Sequence, residues 1–166
     1  HAQQEVAKLA DHLVIIDAGR VLAAGPLADT LSRIDLPQAE GREAAMIWEG
    51  RIAAHETAYH LTRVDCAGTE LCMPLIDAAI GTPVRVQIHA RDVSITLDAP
   101  NATSILNVLP ATITGMADNP SGQTVLRLKV GTLPLLAHIT CKSRQLLDLQ
   151  VGKNVYVQIK GTSILN

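Results

Sequence analysis

The spacing of apolar residues changes twice along this chain of 166 residues. Val6, Leu9 and Ala10 recur at helical spacing behind Glu5, which predicts a short helix over residues 2–10 with its acidic charge at the favourable end. The period then shortens. Leu13-Val14-Ile15-Ile16 reads as a buried strand, Asp17 to Arg20 as a turn containing Gly19, and Val21 to Ala24 as a second strand, together a hairpin. Gly25-Pro26 is expected to end that strand, with Pro26 near the first turn of a helix from Leu27 to Leu31. Residues 35–42, with Pro37, Gly41 and several polar positions, have the composition of a linker.

Beyond Ile47 the pattern becomes short β-branched runs separated by turn residues: Arg51 to Ala54, Tyr59 to Val64, Glu70 to Met73 and Val84 to Ile88. Such a cadence predicts a small all-β barrel or sandwich. An internal repeat sharpens the expectation. Ile80-Gly-Thr-Pro-Val-Arg-Val-Gln-Ile-His89 aligns with Val151-Gly-Lys-Asn-Val-Tyr-Val-Gln-Ile-Lys160 at an offset of 71 residues, and each run is followed by a Ser-Ile pair, Ser94-Ile95 and Ser163-Ile164. Two units of this size imply duplicated OB-like β-folds packed together, because a solenoid needs three or more repeats. Alternation of Val84, Val86 and Ile88, and of Val155, Val157 and Ile159, turns one face of each strand toward a core.

Composition narrows the function classes. No apolar run approaches the roughly 18 residues of a membrane-spanning helix. The net charge is −2, with 14 Lys and Arg scattered singly, and aromatic residues are 2% of the chain with no Phe. Neither a basic stripe nor a stacking platform is present, which argues against nucleic acid as a partner. Cys66, Cys72 and Cys141 are odd in number and form no Cys-x-x-Cys pair, so a reducing cytoplasm fits better than a disulfide framework or a zinc site. His12, His55, His60 and His138 make no pair at metal-ligand spacing on one element. No G-x-x-x-x-G-K-[ST] run exists to hold a triphosphate, and Walker B acidic residues are missing. The chain opens with His1 rather than Met and is expected to be a piece of a longer protein.

Over residues 1 to 33, the order His-x-x-x-Glu-Val-x-x-Leu-Ala-Asp, strand, Asp-x-Gly-Arg, strand, Gly-Pro resembles the end of an ABC-transporter ATPase domain. The resemblance implies that His1 stands at the switch histidine, which meets the γ-phosphate of ATP. Without the missing motifs this stretch is expected to be inactive alone, with ATP and Mg belonging only to the parent protein. Residues 102–164 carry Ser104-Ile-Leu-Asn107-Val-Leu-Pro110-Ala-Thr-Ile113, Leu136-Ala-His-Ile139-Thr140-Cys-Lys-Ser143, the run Leu147 to Gly152, and Val155 to Lys160. That series resembles the Mop or TOBE domains of molybdate-importer ATPases. The stretch Ala90-Arg91-Asp92-Val93-Ser94 points to the same family.

The resemblance divides the chain into an ATPase tail over 1–34, a linker over 35–44 and an oxyanion-binding barrel over 45–166, with half-repeats at about 45–98 and 102–166. It implies molybdate or tungstate as ligand and a homodimer. It also implies membrane-spanning permease partners and a cytoplasmic location on the inner face of the membrane. A purely structural dimerisation barrel, or the terminal barrel of a sulfate or sugar importer, is the alternative.

A tetrahedral dianion needs several N–H and O–H donors converging on its oxygens, and a cation offsets its charge. On the family pattern the donors are Ser104, Asn107, Thr140, Ser143 and Lys160. Where the family often has arginine, this chain has Leu106, which removes a bidentate cationic donor; Lys142 is the candidate to replace the charge. Each alone has a plainer reading. Ser and Thr ordinarily serve turns and strand surfaces, Asn107 suits a turn, Lys160 suits a solvated strand end, and His89, its counterpart in the first repeat, suits a structural role. Their weight comes from occurring together in matched order.

Overall fold

A computed structural model describes residues 3–165, so His1 and Ala2 lie outside the described residues. The chain opens with α1 (Gln3–Leu9), a hairpin of β1 (His12–Asp17) and β2 (Arg20–Pro26), and α2 (Leu27–Leu31). Two residues with positive φ, Ala18 and Gly19, make the hairpin turn, as the glycine predicts. Pro26 is the N-cap of α2, and β2 runs into it rather than stopping at Gly25. The hairpin is not buried as its apolar run predicts: Val14, Ile16 and Val21 are each more than half exposed. A two-stranded sheet has two faces, and here only one is covered.

Residues 35–42, whose composition suggests a linker, pack against the barrel. Leu36 and Ala39 are buried, Pro37–Ala39 forms a 3-10 turn, and the Ala39 carbonyl accepts a 2.6 Å hydrogen bond from His138 Nε2. Proline and glycine marked irregular backbone correctly; the alanine and leucine between them fill the space beneath it.

The remainder is two curled five-stranded antiparallel sheets. The strands are β3 (Ala45–Glu56), β4 (Leu61–Cys66), β5 (Thr69–Pro74), β6 (Pro83–His89), β7 (Val93–Thr96), β8 (Asn107–Asp118), β9 (Gln123–Val130), β10 (Leu133–Thr140), β11 (Asn154–Ile159) and β12 (Ser163–Leu165), with α3 (Cys141–Leu146) after β10. One sheet has the order β12-β6-β3-β4-β5 and the other β10-β9-β8-β11-β7. The expected mainly β, OB-like architecture is therefore present. The strand expected from Tyr59 begins at Leu61, because Thr57–Tyr59 forms a 3-10 turn and His60 takes a positive φ.

The repeat is built by strand exchange. β7, from the first half of the sequence, pairs with β11, and β12, from the second half, pairs with β6. The Ser-Ile pairs sit in those exchanged strands. Ser94 Oγ lies 3.4 Å from Gln158 Oε1, and Ser163 Oγ lies 3.5 Å from Gln87 Oε1; the two glutamines are repeat equivalents. Neither half, cut at its linear boundary, contains a whole sheet.

Both halves bury their alternating residues in one core. Val86, Ile88, Val155, Val157 and Ile159 are all within it, together with Met46, Trp48, Leu71, Leu126 and Leu135. Each large side chain buried this way stabilises the fold by roughly 1.5–3 kcal/mol. Trp48 also donates its indole N–H to the Pro134 carbonyl at 2.7 Å, tying β3 to β10. A second, smaller cluster of Ala7, Leu27 and Ile47, with Val6, Ala10, Leu13, Leu31 and Leu165 around it, fastens the N-terminal segment to the β12 side of the first sheet.

Candidate functional site

The Ile-Thr-x-x-Ser motif folds as a helix cap. Thr140, the last residue of β10, keeps extended backbone while α3 begins at Cys141, and its Oγ1 accepts from the Ser143 backbone N–H at 3.0 Å. A threonine fits this position because its side-chain oxygen replaces a partner that the first turn lacks. The same geometry brings Thr140 Oγ1 and Ser143 Oγ to 2.9 Å from each other. Thr140 is exposed and Ser143 half-buried, so two hydroxyls face solvent as a fixed pair. Lys142 lies between them in sequence, exposed and making no ion pair among the described residues.

Beneath this turn, Arg144 pairs with Asp118 at 3.0 Å and Thr124 Oγ1 donates to Asp118 at 2.6 Å. Cys141 Sγ lies 3.4 Å from the Thr124 hydroxyl. The cap therefore stands on a buried threonine and a neutralised carboxylate, which hold α3 against the end of β8. At the far end of α3, Lys153 Nζ donates to the Leu147 and Asp148 carbonyls at 2.9 and 3.0 Å.

The other candidates form a separate group. Ile159 pairs with Asn107, so Lys160 and the approach to β8 lie at one end of the β8–β11 ladder. Ser104 is exposed in that approach, where Thr103 Oγ1 accepts from Gln158 Nε2 at 3.2 Å. Lys160 is exposed, its backbone N–H bound to the Asp92 carbonyl at 3.0 Å. Leu106, at the position where arginine was expected, is 66% exposed. Among the described residues, no hydrogen bond joins this group to Thr140, Lys142 or Ser143.

Asn107 does something other than serve a turn. Its Nδ2 donates to the Cys72 carbonyl and its Oδ1 accepts from the Cys72 N–H, both at 2.7 Å, and it is buried. The side-chain amide thus takes the place of a neighbouring strand along β5. Both ends of the amide are occupied there.

The chemistry of the set suits a tetrahedral oxyanion. The hydroxyl pair, one of whose two protons lies between its oxygens, leaves one neutral donor, Lys142 and Lys160 supply positive charge, and none of the six candidates is acidic. Sequence reasoning missed Arg85, whose contacts are described below. The signal lay in the repeat, where Arg85 stands opposite Tyr156 while the residues around both agree.

The duplicated, strand-exchanged barrel thus carries its capped turn in its second half. The family profile described as TOBE domain matches residues 103–165. Over 99% of its length the chain is 46% identical to the molybdenum import ATP-binding protein ModC of Albidiferax ferrireducens and 43% identical to that of Aromatoleum aromaticum. Those alignments cover 45% and 44% of the two relatives. The ModC protein of Pseudomonas syringae pv. tomato is 45% identical, with 46% of it covered. Over nearly its whole length the chain is thus similar to ModC proteins, and it spans somewhat less than half the length of these relatives. A solved structure of the cytoplasmic molybdate-binding protein ModG, with molybdate bound, matches at a TM-score of 0.62. That match covers 71% of this chain and 93% of the other, at 19% identity, and it shows a shared fold.

Proposed function

We propose that residues 45–166 are a regulatory molybdate-binding domain attached, through residues 35–44, to the tail of an ABC ATPase over residues 1–34. The observation that carries this reading is the Thr140–Ser143 hydroxyl pair, held at 2.9 Å on the surface beside Lys142. The names of the relatives supply the ion, and the donor set suits it. Ser104, Lys160 and the pair belong to different groups within one chain, which favours a site completed by a second copy in a homodimer. Asn107 supports the site by fixing the start of β8 rather than by touching the ion.

In the parent protein, ATP and Mg drive import through membrane-spanning permease subunits, and His1 serves as the switch histidine. The assembly sits on the cytoplasmic face of the membrane. Oxyanion held by the barrels favours one arrangement of the two ATPase subunits, so that abundant molybdate slows uptake; this requires different affinity for the two arrangements. Tungstate, with the same charge and shape, binds the same donors.

A second reading, a dimerisation barrel without a ligand, is favoured by Leu106, which puts an exposed apolar side chain where a cation was expected. Isothermal titration with molybdate, tungstate and sulfate, on the wild type and on Ser143→Ala, separates the two. Saturable heat with molybdate that sulfate does not give, weakened about tenfold or more by the substitution, supports the sensor. No heat from a folded, dimeric protein leaves the dimerisation barrel.

A further inference from the structure

Arg85 lies on β6 with its side chain 20% exposed. Its Nη1 donates to the carbonyls of Ala7, Lys8 and Ala10 at 3.3, 3.2 and 2.9 Å, and its Nη2 reaches Asp11 at 2.6 Å and Glu49 at 3.1 Å. The carbonyls are those left open at the C-terminal end of α1, where helix geometry supplies no partner and the backbone dipole favours a cation. A guanidinium from the barrel, 75 residues away in sequence from Ala10, therefore caps the helix of the N-terminal segment. The repeat equivalent of Arg85 is Tyr156, so at this position only the first half-repeat carries the charge.

Directly across from Arg85 in the sheet is Leu165 of β12. Leu165 packs against the small cluster of Ala7, Leu27 and Ile47, which Val6 and Ala10 of the same helix end also join. Two residues, Gly161 and Thr162, separate β12 from Lys160. The edge strand is only three residues long and pairs on one side alone, so its attachment is among the weaker ones in the barrel. The backbone N–H of Lys160 is held by the Asp92 carbonyl at 3.0 Å, so the link to β12 starts from a fixed residue, and a ligand that draws the exposed Lys160 side chain over that link limits its freedom and favours the pairing of β12 with β6.

We propose that β12 and Arg85 form the coupling element of this protein: an oxyanion held at Lys160 stabilises β12 on β6, and Leu165 and Arg85 together then clasp α1 more firmly to the barrel. The step rests on the oxyanion reading given above. Arg85 acts here as a positioning residue. It touches the helix rather than the ion.

Amide hydrogen exchange of the 166-residue chain, with and without saturating molybdate, tests the step alongside calorimetric titration of the same samples. In the wild type, molybdate is expected to slow exchange at residues 163–165 and at residues 6–10 by about threefold or more, with sulfate doing neither. Arg85→Gln is expected to bind molybdate within about twofold of wild type and to keep the response at 163–165. Its residues 6–10 exchange faster and no longer respond. Arg85→Lys should restore part of the response. Leu165→Ala reaches the same joint from the other strand and should also uncouple residues 6–10, which guards against misfolding of any one variant. A wild type that binds molybdate without a change at 6–10 overturns the coupling alone, as does an Arg85→Gln chain that responds like wild type. A wild type with no heat overturns the oxyanion reading and the ion-driven step together.

Discussion

The side-chain amide of Asn107 and the backbone of Cys72 exchange two hydrogen bonds of 2.7 Å each, and this pair closes the seam between the two sheets. β5 is an edge strand of one sheet, while Asn107 begins β8 in the middle of the other. An open edge there would leave a part-buried N–H and carbonyl unpaired, and a fully buried group left so costs about 1–3 kcal/mol. Asn107→Ala is therefore expected to lower the unfolding free energy by about 2–4 kcal/mol in urea titrations. Asn107→Asp loses the donor and sets a carboxylate beside the Cys72 carbonyl, so it should be at least as damaging. If Asn107 were instead an ion donor on the surface, its replacement by alanine would weaken molybdate binding and leave stability nearly unchanged.

How far the sequence led differs from residue to residue for physical reasons. Val84 to Ile88 and Val155 to Ile159 were legible because a strand with one face buried must alternate, and because the repeat showed the same alternation twice. The exchange of β7 and β12 was not, since local pattern says which residues form a strand and nothing of which sheet completes it. The hairpin misled for a related reason: Val14 and Ile16 are apolar, but apolar residues do not show what covers them. In the site, Thr140 and Ser143 lie close in sequence on one cap, so spacing alone could bring them together. Asn107 and Cys72 are 35 residues apart, and only tertiary packing joins them.

The cap at α3 gives Thr140 and Ser143 separable roles. Thr140 Oγ1 accepts from the Ser143 N–H, whereas the Ser143 hydroxyl is not needed for the cap. Removing a threonine N-cap costs about 1 kcal/mol. Thr140→Ala should therefore lose about that much stability and weaken molybdate binding as well. Ser143→Ala should leave the urea midpoint within a few tenths of a molar unit while weakening binding. Loss of stability in the serine variant equal to that of the threonine variant would show that the pair serves the fold alone.

Gly50 sits where β3 passes under β4. A Cβ there would stand 2.7 Å from the Asp65 carbonyl oxygen, 2.7 Å from Cys66 Sγ and 2.8 Å from Val64 Cγ1. All three belong to backbone or a buried side chain, so the strands must part to admit a methyl group. Overpacking of this kind typically costs about 1–3 kcal/mol. Gly50→Ala is expected to fall in or above that range. By contrast, Gly41→Ala, where nothing lies within 4 Å, should stay near wild type in the same thermal scan.

Cys66 links packing to pH. The side chain is fully buried, and burial pushes its thiol up from 9.0 to about 12, with the neighbouring Asp65 carboxylate adding to the rise. Below pH 9 both folded and unfolded chains hold the proton, and the group leaves stability unchanged. Above it the unfolded chain releases the proton first, so the unfolded state gains and stability falls as pH rises toward the folded value. One such group changes the slope by at most about 1.4 kcal/mol per pH unit. Urea unfolding followed from pH 8 to 10.5 should show a steeper decline for the wild type than for Cys66→Ala, even though the variant starts lower because of its cavity. The same burial predicts that iodoacetamide at pH 8 alkylates the half-exposed Cys141 well before Cys66, which reacts only when the barrel opens. Parallel stability curves for the two proteins, or early labelling of Cys66, would show that the space around this thiol is wetter than the packing of β3, β4 and β5 implies.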